Sequence, residues 1–218
     1  MAKVVKKSFG SSNTTMWKTF FDSFECPLLT VTISGNTLQL LLDNTVQLNM
    51  PASASNWFQP VTITYNGSTT SEVVRLWFGN AGVRVTVITS DTLFYVQFQD
   101  GDSRRLCFVY ELCDGIKYYG YRGSVSSSGQ SFYDISSFGL TNLATDATYT
   151  HKPMMGFNSN VGKISYIDKC GLMDSDYQLL QYDTNFIDCT TVIGDKIYTF
   201  DGNNYYSVGT NTLVLIDE

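Results

Sequence analysis

The sequence predicts an all-β fold, a mainly antiparallel sandwich or barrel with one short N-terminal helix. Apolar residues alternate with Ser, Thr, Asn and Gln through most of residues 29–121, the period-two signature of half-buried strands. Tight-turn dipeptides recur between these runs. Charged residues form only 16% of the chain, against a usual quarter, while aromatics reach 14%; a mainly helical surface would carry far more Glu and Lys.

The first element is the helix. Trp17, Phe20, Phe21 and Phe24 stand at i, i+3, i+4 and i+7, placing four aromatics on one face. Asn13 or Thr14 supplies the cap, and Cys26-Pro27 stops the run because a residue before proline is pushed out of the α region. So aromatic a face must dock, on its own sheet or on a neighbouring subunit. The terminal strand Thr212–Ile216 raises the same question, since apolar elements near chain ends fray unless anchored.

From Leu29 the period becomes two. Thr30–Ile33, Thr37–Leu40 and Val46–Leu48 read as a meander turning at Gly35-Asn36 and Asp43-Asn44, and Val61–Tyr65 ends at the hairpin signal Asn66-Gly67. Glu72–Phe78, Val83–Thr89, Leu93–Gln99, Arg104–Leu112 and Ile116–Tyr121 follow, with turns at Asp100-Gly101 and Asp114-Gly115. Between Arg122 and Gly162 the glycines, the Ser126–Ser128 run and Pro153 interrupt any period, which reads as a surface excursion. The end of the chain offers Ile164–Ile167, a helical turn around Ser175–Tyr182, Thr190–Ile193, and a meander of Lys196–Phe200, Tyr205–Val208 and Thr212–Ile216. The expected organisation is an arm and helix over 1–26, a β-sandwich or barrel over 27–125, a loop-rich junction over 126–162 and a small β subdomain over 163–218.

Composition removes several functions. A net charge of −6 argues against a groove that neutralises phosphates, so no nucleic acid is expected; Lys3, Lys6 and Lys7 read as a solvated tail. No apolar run approaches the roughly 18 residues of a membrane span. The basic start lacks the apolar stretch of an export signal, so synthesis in the host cytoplasm is expected. Cys26, Cys107, Cys113, Cys170 and Cys189 are odd in number and irregular in spacing, the pattern of buried thiols.

Catalysis has little to work with. His151 is the only histidine, in a loop-like stretch beside Pro153, with no nucleophile elbow anywhere. Glu72 and Glu111 fall in predicted strands, where a carboxylate faces solvent or a cleft. Asp174-Ser175-Asp176, with Asp168 and Asp183, offers oxygen ligands but no calcium-loop spacing, and a helix cap explains it as well. No catalytic residue, metal or cofactor is assigned, and the chain is read as a non-enzyme. Tyr118-Tyr119, Tyr121, Phe132-Tyr133 and Tyr205-Tyr206 remain, each adjacent pair placing one ring inward and one outward. The interface candidates are therefore Trp17, Phe20, Phe21, Phe24, Tyr119, Tyr121, Tyr205 and Tyr206.

The run Ile197-Tyr-Thr-Phe-Asp-Gly-Asn-Asn-Tyr-Tyr-Ser-Val-Gly-Thr-Asn-Thr-Leu-Val214, with the lysine-bearing start and Ser/Thr/Asn-rich meanders, resembles structural proteins of tailed phages and prophages of gut bacteria. The likeness covers about the last 20 residues, a hairpin signal of low specificity. It implies a virion component of head, neck or tail whose partners are copies of itself and other virion proteins. A glycan or host receptor bound by exposed tyrosines is the alternative.

Overall fold

The computed structural model describes residues 1–52, 57–79, 81–101, 104–123, 139–153, 167–176, 179–181, 185–189, 192, 194–209 and 212–217. The fold is mostly β, with antiparallel sheets in a sandwich-like arrangement and one helix. Contacts divide the chain into two units. One holds Met1–Val4, Val109–Tyr121 and residues 131–218; the other holds Val5–Phe108 and residues 122–130. The division cuts across the four sequence-based segments, because strands β1 (Lys3–Phe9) and β10 (Arg105–Cys113) each contribute residues to both units.

In the Val5–Phe108 unit, α1 (Thr14–Phe21) is capped by Asn13, whose side chain accepts from the Met16 N–H at 3.0 Å. The helix ends well short of Pro27, closed by Asp22 and by the Ser23 hydroxyl on the Phe20 carbonyl. Phe24 therefore lies beyond the helix, yet its ring still meets Phe20 at 5.0 Å. Trp17 stacks on Phe9 at 4.2 Å and lies near Phe78 and Phe98. Trp17, Phe20 and Phe21 are buried within the chain, so the stripe packs on its own fold.

β2 (Leu29–Ser34), β3 (Thr37–Leu42), β4 (Val46–Pro51) and β5 (Phe58–Tyr65) form the expected meander, followed by β6 (Ser68–Thr69) and β7 (Val74–Trp77), both paired with β5. Asn66-Gly67 holds positive φ at both positions of a two-residue hairpin, the geometry that matches strand twist, and Asp43-Asn44 does the same within the three-residue turn that ends at Thr45. Leu38, Leu40, Leu42, Val46, Leu48, Met50, Val61 and Ile63 are all buried on one face. Glu72 precedes β7 instead of opening it. β8 (Val83–Thr89) and β9 (Leu93–Asp100) pair along their length. β1 lies beside β8, which corrects the solvated-tail reading of Lys3, Lys6 and Lys7. Lysines on an outer strand suit an edge that must not pair further.

The other unit carries the end of β10, then β11 (Ile116–Gly123), β12 (Leu140–Asn142), β13 (Thr148–Pro153), β14 (Ile167–Met173), β15 (Leu179–Gln181), β16 (Ile187–Cys189), β17 (Ile197–Phe200), β18 (Asn203–Ser207) and β19 (Thr212–Ile216). From β11 the sheet order is β11-β12-β13-β14-β16-β19-β18-β17, with β15 also on β14. β12 and β13 correct the loop reading of the junction: backbone pairing with β11 and β14 overrides the turn-rich composition around them. Likewise residues 179–181 are strand, not helical turn. The expected strand at Thr190–Ile193 falls largely outside the described residues, as do Phe132 and Tyr133.

Candidate functional site

His151 is the largest correction. It sits on β13, opposite Leu172 of β14, and is wholly buried. Its Nε2 stands 2.7 Å from Oε1 of Glu111, itself wholly buried on β10. That distance belongs to a strong contact, but the approach is poorly aligned for N–H donation, and Nδ1 has no hydrogen-bond partner. The Asn185 backbone and side-chain nitrogens approach Oε2 of Glu111 at 3.4 and 3.3 Å, and the Phe186 ring meets the imidazole edge-on at 4.8 Å.

Tyr149 and His151 share one face of β13, the first partly and the second wholly buried, and on β10 Glu111 shares a face with Val109 and Cys113, all buried. Burial alone pushes the Glu111 carboxyl up, but the electrostatic pull of His151 in contact with it and the hydrogen bonds from Asn185 outweigh it, leaving the group below its ordinary value. Nearby on β11, burial and the charges of Cys113, Tyr149 and Glu111 push Tyr118 up to about 12, against the hydrogen bond to Asn142. The Tyr118 and Tyr149 rings meet edge to face at 5.8 Å. An acid and a base in contact are the raw material of proton transfer, but both are closed to solvent, so no substrate reaches either in this conformation.

The other carboxylates stay apart. Glu72 grips Arg75 through both oxygens at 2.7 Å on the exposed side of the other unit. Asp174 accepts from the Asp176 backbone at 2.9 Å, a local turn; the side chains of Asp168 and Asp183 lie outside the described residues. Among the described residues no three His, Cys, Asp or Glu converge as a metal site, and no helix is long and apolar enough to cross a membrane. All five cysteines are buried thiols.

The tyrosines divide. Tyr119 and Tyr121 are half-buried on one face of β11, and burial, then the Tyr121 charge, raises the Tyr119 hydroxyl. Tyr205 and Tyr206 are both buried, correcting the one-in, one-out expectation: β18 is covered on both faces. Tyr205 joins Cys189, Val192 and Leu213 in a small core, while Tyr206 hydrogen-bonds Asp195. These two rings are anchors of the fold and not of a surface.

The terminal hairpin leaves a different feature outside. β19 is paired with β16 and β18 and bridged by Ala2, so it has no edge to offer and the expected edge addition through Thr212–Ile216 fails. Beyond β17, however, no strand follows among the described residues. The two-residue turn at Asp201-Gly202 makes Phe200 and Asn203 a hydrogen-bonded pair; by alternation Tyr198 with Tyr205 is the next, and the Ser207 N–H on the Lys196 carbonyl at 2.9 Å continues it. The N–H and C=O groups of Ile197 and Thr199 therefore point to the open side. Ile197 is 61% exposed, the second most exposed large apolar side chain after Met1 among the described residues. Sequence reasoning singled out this hairpin but chose its wrong strand, since pairing order is not written in local periodicity.

Comparison of the chain with protein-family models, with curated proteins and with solved structures finds no match.

Proposed function

We propose that the chain is a non-enzymatic structural component of a tailed-phage particle, of head, neck or tail, that joins copies of itself or neighbouring virion subunits by strand addition at β17. The observation that carries this is the open β17 edge with Ile197 exposed beside it. Strand addition takes its affinity from main-chain hydrogen bonds and needs only an apolar anchor for register. A long apolar edge left bare is an aggregation hazard, whereas a four-residue edge flanked by Lys196 and Asp201 suits one defined partner. The resemblance of Ile197–Val214 to virion proteins falls on this same hairpin. Enclosure of the only imidazole supports the non-enzymatic side of the reading.

The test is sedimentation of the wild type and of Thr199→Pro over a range of concentrations, with thermal melts in parallel. Proline removes one outward N–H and is tolerated on an edge strand. The wild type is expected to assemble, the variant to stay monomeric, with melting temperatures within a few degrees. A wild type monomeric throughout, or a Thr199→Pro protein that assembles equally well, removes the β17 reading. Labelled antibody against the chain, imaged on purified phage particles, then locates it in head, neck or tail.

A further inference from the structure

The outward face of the meander in the Val5–Phe108 unit carries rows of neutral polar side chains. Strand register aligns Thr32, Gln39, Asn49 and Thr62 in one row across four strands. A parallel row carries Gln47, Thr64 and Thr69. The face is a shallow groove of about 430 Å³ whose lining contains no ionisable side chain. With strands about 4.8 Å apart, the four-strand row runs for roughly 14 Å.

These side chains are already organised. The Asn49 amide donates to Thr64 Oγ1 at 2.9 Å, Gln47 donates to Asn49, Thr64 and Thr69 share a hydrogen bond at 2.8 Å, and Thr32 donates to Gln39 Oε1 at 3.3 Å. Gln39 and Thr62 line the same groove. Along β5 the outward positions continue to Phe58, which lies opposite Trp77 of β7. Phe58 is 36% exposed. The Trp77 ring lies on the backbone at Gly79, where any Cβ would stand 2.8 Å from it. Phe58 and Trp77 thus form an aromatic pair further along the outward side of β5, past Pro60 and its partner Arg75.

We propose that this face binds a neutral, extended glycan. Hydroxyls and amides match sugar hydroxyls as both donors and acceptors, and aromatic rings give flat apolar platforms for sugar C–H faces. Electroneutrality of the groove lining sets the class: an acidic polysaccharide or a nucleic acid finds no cation in it, and Arg75, further along beside Pro60, is already held by both oxygens of Glu72. A protein partner would want a central apolar anchor, and the centre of this face is polar while its aromatics stand at one end. The shallow, open form suits a chain laid across the sheet more than a small molecule enclosed by it. This site uses none of the tyrosines singled out in the sequence and does not depend on the β17 edge.

The test is titration of the full chain against a panel of neutral gluco-, galacto-, manno- and N-acetylhexosamine oligosaccharides, with sialylated and uronic-acid oligomers alongside. At least one neutral oligosaccharide is expected to bind, with affinity little changed by salt. Phe58→Ala should weaken it about tenfold or more and Thr62→Val severalfold, while Thr199→Pro leaves it unchanged. Thr62→Val keeps shape and β-propensity, so it remains informative if Phe58→Ala unfolds the protein. Binding to none of the neutral oligosaccharides, binding to the acidic ones alone, or full binding by both variants overturns the proposal.

Discussion

Glu72 and Glu111 make contacts of the same length in opposite surroundings. Each has a carboxylate oxygen 2.7 Å from a basic partner, Arg75 or His151. The Glu72 pair is bidentate, three residues apart, with the Arg75 side chain 58% exposed. The Glu111 pair joins two strands distant in sequence, and both side chains are closed to water. Water screens the first pair and competes for its atoms, so little stability follows from it despite better geometry. The second has no water to fall back on, and its importance lies in what breaking it would leave behind.

The largest expected effect is therefore at the poorer-looking contact. His151→Ala leaves the Glu111 charge buried without its partner and should lower unfolding free energy by about 3–5 kcal/mol in urea titrations. A loss below about 1 kcal/mol would mean that Glu111 finds water or another cation, and the contrast collapses. Next in size is a test of coupling. Glu111→Met with His151→Phe removes both charges while roughly keeping volume, and the double variant should be more stable than either single one. If the single losses simply add, the two groups are not a pair.

Acid sharpens the comparison further. Glu111 has a folded-state value below its ordinary 4.5, so the unfolded chain takes up its proton first as pH falls. The stability it contributes is fully present above about 4.5 and is lost as pH drops from there through the lowered folded value. Unfolding free energy should thus fall with pH in that window in the wild type, and less steeply in Glu111→Gln. Equal slopes would show that other carboxylates govern acid unfolding. The smallest effect belongs to Glu72→Ala, which should change the melting temperature no more than an ordinary surface substitution; any change should vanish in about 1 M salt. A large effect there would reverse the ranking of the two sites.

How far these sites were legible in the sequence follows from what kind of information each needed. The meander was readable because its determinants are local: alternation from Thr30 to Tyr65 and turn residues at Asp43-Asn44 and Asn66-Gly67 set both faces and register. The aromatic helix was readable for the same reason, and its own-core alternative is the one the packing of Trp17 on Phe9 realises. His151 was not readable. Its strand is short, ends at proline and sits in turn-rich surroundings, and only pairing with β14 and contact with β10 make it core. The two-sided burial of Tyr205 and Tyr206 was hidden because period-two reasoning assumes one wet face. The neutral groove was present as outward Thr, Asn and Gln positions, but only register shows that they fall in rows.

The contrast between neighbouring and distant pairings also has a consequence in time. Hairpins such as β2–β3 and β5–β6 close over two-residue turns, an event of microseconds, whereas Glu111 meets His151 only after the strands between them have found their order. Contacts made late are mostly absent from the folding transition state. Loss of the buried pair should then leave the refolding arm of a chevron nearly unmoved and steepen the rate of escape from the native state. The buried ion pair acts as a latch: it does little to bring the strands together and much to determine how long they stay.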